Sequence, residues 1–113
     1  MAEMAKAPTH DHGPRKRGKA PSDEALRRAA GVFRAAGDVA RLRLLHHLGG
    51  GELCVTELAE LTNTKMSTLS QQLRVLFSEH MVDRRRDGKH VYYRLADTHV
   101  EELVRAAIDH AEH

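Results

Sequence analysis

Residues 55–79 read VTELAELTNTKMSTLSQQLRVLFSE, and this stretch decides the fold. Its first part carries Val55, Leu58, Ala59 and Leu61 at helical spacing. Thr62-Asn63-Thr64 then interrupts the pattern, and Asn63 tolerates a left-handed backbone. A longer helix is predicted from about Lys65 to Glu79, its apolar stripe being Met66, Leu69, Leu73, Leu76 and Phe77. A short helix, a tight turn and a second helix make a helix-turn-helix. The other face of the second helix offers Ser67, Thr68, Ser70, Gln71 and Arg74, with Gln72 at its margin and no carboxylate before Glu79. Gln and Arg bond base edges bidentately, and Ser and Thr suit phosphates, so this face suits the major groove of double-stranded DNA.

C-terminal to it the period changes. Met81–Arg86 and Lys89–Leu95 read as two strands joined by Asp87-Gly88, a strong short hairpin signal. Arg84, Arg85, Arg86, Lys89 and His90 make the hairpin basic, as expected of a wing gripping the phosphate backbone. N-terminal to it, Ser22 is expected to cap a helix through about Ala36, with Leu26, Ala29, Ala30, Val32 and Phe33 apolar. Asp38 is expected to cap a second, with Val39, Leu42, Leu45 and Leu48 inward and Gly49-Gly50-Gly51 ending it. His46 and His47 near that end have an ordinary explanation in the helix dipole. Residues 1–21 hold all three prolines, the basic run Arg15, Lys16, Arg17 and Lys19, and almost nothing apolar. They read as a flexible basic arm, open to DNA backbone contact or, through His10, Asp11 and His12, to metal. Residues 22–113 form the winged helix-turn-helix domain. The fold class is mainly α, with a two-stranded wing and with the N- and C-terminal helices forming a dimer interface.

The bulk numbers fit. The 113 residues suit one small domain for which a dimer interface would add buried surface. Aromatics are only 4% and Trp is absent, so the core must be built from Leu, Val and Ala. A formal charge of +2 permits nucleic acid without requiring it. The single cysteine, Cys54, forms no internal disulfide and agrees with a cytoplasmic setting. The sequence carries neither an 18-residue apolar run nor a signal-peptide pattern, so no membrane partner is expected.

The nine histidines carry the second signal. On a last helix from about Thr98, with Thr98 and Glu101 as an expected capping box, residues fall into three sectors. Val100, Val104, Ala107, Ile108 and Ala111 form a core stripe; Glu101, Glu102, Arg105, Asp109 and Glu112 form a solvent face. Leu103, Ala106, His110 and His113 lie within about 40° of His99. Neither core nor solvent explains three aligned histidines. His99 and His110 are about 16 Å apart along the axis, too far for one ion bound at about 2 Å. An antiparallel two-fold pairing of this helix resolves the distance. His99 then faces His110, Leu103 faces Ala106 and Asp97 faces His113, all centred on nearly the same point. Asp97 and His99 of one chain with His110 and His113 of the other make a four-ligand set suited to tetrahedral Zn(II), two sites per homodimer. Four protein ligands leave no open position for hydrolytic chemistry, and no His-Glu-x-x-His motif is present, so an enzyme is not expected.

These motifs resemble the ArsR/SmtB family of metal-sensing winged-helix repressors over about residues 24–113. The matching pieces are Arg41–Leu45, Glu52-Leu53-Cys54-Val55, Ser70–Leu76, Val91–Leu95, Asp97-x-His99 and His110-x-x-His113. The last two resemble the zinc-sensing branch. The resemblance implies repression when metal-free, release of operator DNA on metal binding, and a contact from the His110 imidazole to the main chain near His80 of the other chain. It also implies a possible second metal site, Cys54 and Glu57 with His10 and His12 of the arm. Two alternatives stay open: a Ni(II) or Co(II) sensor using the arm histidines, and a thiol switch at Cys54.

Overall fold

The computed structural model describes residues 18–113, so His10, Asp11 and His12 and most of the basic arm lie outside the described residues. Five helices and three strands follow in the order α1 (Asp23–Ala36), α2 (Val39–Leu48), β1 (Leu53–Cys54), α3 (Val55–Thr62), α4 (Met66–Ser78), β2 (Val82–Asp87), β3 (His90–Leu95) and α5 (Thr98–Ala111). The local signals act where side chains meet free backbone groups. Ser22 Oγ accepts the Ala25 N–H at 3.0 Å, and Asp38 Oδ2 accepts that of Arg41 at 3.1 Å. Asn63 ends α3 at φ 52° and ψ 50°, the left-handed region its short polar side chain tolerates.

The helices close over a core of leucines. Leu45, Leu58, Leu69, Leu73 and Leu76 are fully buried, joined by Met81, Val82, Val100 and Val104. No polar or charged side chain among the described residues is buried, so apolar packing alone holds this centre together.

Several expectations are corrected. The two-stranded wing of β2 and β3 forms as expected, and the short β1 extends it to a three-stranded antiparallel sheet of order β1-β3-β2. Leu53 and Cys54 pair with Tyr93 and Tyr92, which anchors the wing to the start of α3. The hairpin loop is Gly88-Lys89, because Asp87 pairs with His90. Gly88, at φ +67°, takes the first loop position, which a Cβ would strain. The α5 cap is Asp97, whose Oδ1 accepts the Val100 N–H at 3.0 Å, so Thr98 is the first helical residue and this single cap bond replaces the expected Thr98–Glu101 capping box. Aspartate competes well for a cap position, and the chain enters the helix one residue earlier. Val39 and Met66, expected inward, are 71% and 49% exposed, while Leu44 is buried. Both exposed residues sit in the first turn of their helix, which projects past the core.

Two surfaces of the protomer stay uncovered, one apolar on α1 and one histidine-rich on α5. On α1, Leu26 and Phe33, seven residues apart and so on one face, are 53% and 63% exposed. On α5, Val100 and Val104 are buried and Ile108 is partly so, but Ala107 and Ala111 lie outside the core. The stripe of His99, Ala106, His110 and His113 is exposed and Leu103 is half-buried.

Candidate nucleic-acid interface and metal centre

Helix α4 is held from behind by Leu69, Leu73 and Leu76, at i, i+4 and i+7. That anchoring leaves Ser67, Thr68, Ser70, Gln71 and Arg74 exposed along the front. The first turn contains no acid, and the preceding Lys65 makes no side-chain cap. Its leading N–H groups and the positive end of the helix dipole therefore face outward, an arrangement that attracts phosphate. Gln72 differs from the rest of this set. It is half-buried, and its Oε1 accepts Nη1 of Arg41 at 3.1 Å.

The wing stands beside this helix. A cleft of about 620 Å³ between them is lined by Met66 and Ser70 on one side and Arg84, Arg86, Lys89 and His90 on the other. The three adjacent arginines have separate surroundings, as alternation along β2 requires. The Arg84 guanidinium lies 4.1 Å from the centre of the Phe77 ring. Arg85 forms a two-pronged pair with Glu52, both bonds 2.8 Å, and stacks on Tyr92 at 4.5 Å. That pair holds the Glu52 carboxyl below its usual range, first through the hydrogen bond, and raises the Arg85 guanidinium by the same bond. Arg85 thus ties the wing to the segment before β1, while Arg86 and Lys89 have no such partner among the described residues.

The metal candidates lie at the two ends of α5. Asp97 and His99 sit at its start, with His99 Nδ1 3.8 Å from Asp97 Oδ1. That oxygen also caps the helix, which leaves Oδ2 for a ligand. His110 and His113 sit at its end. His113 Nδ1 lies 2.6 Å from the Asp109 carbonyl, which can only accept, so Nδ1 donates there and Nε2 is the ring nitrogen left for a ligand. No three potential ligands converge among the described residues of one protomer. The structure therefore brings Asp97 to His99 but does not bring either to His110 or His113.

The second candidate site is occupied by backbone work. Cys54 is buried, and Glu57 Oε1 accepts the Cys54 N–H at 2.8 Å, closing the start of α3. His10 and His12 lie outside the described residues. His80, after α4, has a left-handed φ of 58° and donates its N–H to the Phe77 carbonyl at 3.0 Å. Sequence reasoning missed the Arg85–Glu52 and Arg41–Gln72 ties. Both join residues more than 30 positions apart, and neither leaves a periodic trace.

A helix-turn-helix whose second helix projects a polar face beside a basic β-wing defines the class, a winged-helix DNA-binding domain. Residues 38–83 match the family model described as bacterial regulatory protein, arsR family. The chain is 46% identical over 83 residues to a protein of Synechocystis named transcriptional repressor SmtB homolog, covering 74% of this chain and 63% of that one. It is 41% identical over 100 residues to the HTH-type transcriptional regulator NmtR of Mycobacterium tuberculosis, covering 88% of this chain and 83% of that one. Among solved structures, a homodimeric winged helix-turn-helix DNA-binding domain of Mycobacterium bovis, a possible ArsR-family regulator, superposes with a TM-score of 0.75 at 32% identity. It covers 86% of this chain and 91% of that one. The chain belongs to the ArsR family, whose members are DNA-binding transcriptional regulators and not enzymes. It spans somewhat less than two thirds of the Synechocystis relative's length. No helix among the described residues is long and apolar enough to cross a membrane.

Proposed function

We propose that this chain is a homodimeric repressor that holds operator DNA when metal-free and releases it on binding Zn(II) between the α5 helices of the two protomers. The observation that carries this reading is the exposed α5 stripe: three histidines and a carboxylate, split between the helix ends, around a Leu103–Ala106 centre. A relative named as a repressor supports repression, and a homodimeric structural neighbour supports pairing.

The donor set fits the metal. Neutral imidazole nitrogens and a carboxylate oxygen are ordinary zinc ligands. The Asp109 carbonyl engages Nδ1 of His113, which leaves Nε2 for the metal, and Asp97 keeps one oxygen outside its capping bond. Zinc supplies a four-coordinate cross-link and no redox chemistry. Asp97 and His99 of one chain and His110 and His113 of the other would hold it. The ligands sit on helix ends anchored by Val100 and Val104, so fixing two α5 helices against each other fixes the domains that carry them. The distance between the two α4 helices then no longer matches successive major grooves. Following the family resemblance, the His110 ring contacts the partner's main chain near His80, at the end of α4.

DNA is read by Gln71 and Arg74, with Ser67, Thr68 and Ser70 placing α4 on phosphates and Arg84, Arg86 and Lys89 gripping the backbone. By linkage, metal and DNA weaken each other by the same factor. The deciding experiment is His99→Ala, titrated with the DNA upstream of the chain's own gene. The variant keeps DNA binding and no longer releases at the zinc concentration that frees the wild type. Release at the wild-type concentration refutes the site.

A further inference from the structure

We propose that Arg41 is a positioning residue for DNA recognition, setting the orientation of α4 by tying Gln72 to the end of α1. The inference rests on the reading of α4 as the DNA-reading helix. The guanidinium makes three bonds from one rigid plane. Nε donates to the Ala35 carbonyl at 2.6 Å and Nη2 to the Arg34 carbonyl at 3.4 Å. Nη1 donates to Gln72 Oε1 at 3.1 Å. The first two acceptors belong to the last turn of α1, where carbonyls lack intrahelical donors and that of Arg34 is otherwise met only by the capping Gly37 N–H at 3.3 Å. The third belongs to the middle of α4. Arg41 itself is fixed, because its own N–H is held by Asp38 at the start of α2.

Helix α1 bears on α4 at a second point. A Cβ placed on Gly31, a buried residue, would fall 2.6 Å from Glu79 Oε1 and 3.0 Å from Cδ. Only glycine permits this approach without displacing the Glu79 side chain. The helix is therefore seated against the middle of α4 and against its C-terminal cap. Gln72 lies beside Gln71, and successive residues point about 100° apart around a helix. Holding Gln72 toward the domain therefore holds Gln71 and Arg74 toward the groove. The same α1 helix carries the uncovered Leu26–Phe33 face. A shift of α1 is passed through the guanidinium fork to the reading face. Gln72 thereby acts from behind the interface rather than on a base.

The test uses Arg41→Lys, which keeps the charge but not the planar fork, Gln72→Met, which removes the acceptor, and the double variant. Affinity is read by fluorescence anisotropy on a duplex from the region upstream of the chain's own gene. A melting curve for each protein reports on folding. Each single variant is expected to bind roughly 10-fold more weakly, the scale of one charge-assisted hydrogen bond. The double variant is expected to be no weaker than either single one. Unchanged affinity for folded Arg41→Lys overturns the proposal. So do losses that multiply in the double variant, which would mean direct DNA contact by Gln72. A purely structural role lowers the melting temperature and leaves the affinity of the folded protein unmoved. Amide hydrogen exchange of residues 70–76 in the free protein gives a second readout. It is expected to speed up in Gln72→Met and to stay at the wild-type rate in Gln72→Glu, which keeps an acceptor. Equal rates in Gln72→Met and wild type overturn the tie. Should the wild type bind no DNA, the DNA reading of α4 fails, while the exchange rates still decide the tie.

Discussion

Replacing Phe33 by Ala tests the pairing of protomers on which the metal site depends. Phe33 is 63% exposed on α1, one helical face with Leu26 at 53%. Fully burying a Phe side chain stabilises by about 3 kcal/mol at the upper end of transfer values. Removing the remaining 63% of its exposure is then worth about 1.5 to 2 kcal/mol per ring. A two-fold interface contains each residue twice, so the variant weakens dimerisation by about 3 to 4 kcal/mol, a factor of several hundred in the dissociation constant. Alanine is a good helix former, and the ring is largely outside the core, so the protomer itself should remain folded. Sedimentation equilibrium over a dilution series gives the dissociation constant, and circular dichroism confirms retained helix. A dissociation constant within about threefold of wild type, well below the factor expected from the buried area, refutes the placement of Phe33 in the interface.

Four further outcomes are expected. Leu73→Ala, at a site 1% exposed, should lower unfolding free energy by about 2 to 5 kcal/mol in a urea titration, through the cavity it leaves. Asn63→Gly should leave stability nearly unchanged while Asn63→Val costs about 1 to 2 kcal/mol, since only the former suits a left-handed backbone. The Glu52 carboxyl is held below its usual range by Arg85, so its contribution is present above pH 4.5 and is lost as pH falls through the lowered value. Melting curves of wild type and Glu52→Gln should therefore differ at neutral pH and converge in acid; a difference that persists there contradicts the assignment. Zinc affinity, measured by competition with a chelator, should fall on acidification, because the ligands His99, His110 and His113 bind only as neutral imidazoles; a pH-independent affinity excludes them.

Much of this domain is legible locally. The i, i+4, i+7 spacing of Leu69, Leu73 and Leu76 and the left-handed turn at Asn63 are encoded within a few residues of chain. So is the division of α5 into a buried stripe of Val100 and Val104 and an exposed stripe of histidines. Periodicity and capping involve neighbours in sequence, so they survive without coordinates. Boundaries that depend on competition between adjacent residues were less readable, as Asp97 taking the cap and Gly88-Lys89 taking the turn illustrate.

Tertiary structure alone decided which apolar residues find cover. Val39 and Met66 follow the helical period yet remain exposed, because their turns extend past the packed centre. It also decided which polar residues are free for a partner. Arg84, Arg85 and Arg86 are equivalent as a run of letters. Folding stacks the first on Phe77, pairs the second with Glu52 across 33 positions, and leaves the third outward. Gln71 and Gln72 diverge in the same way, one exposed and one claimed by Arg41 from 31 positions away. A chain's letters encode the donors and acceptors along it, but a hydrogen bond needs atoms about 3 Å apart, and only the packing of distant segments brings them to that distance.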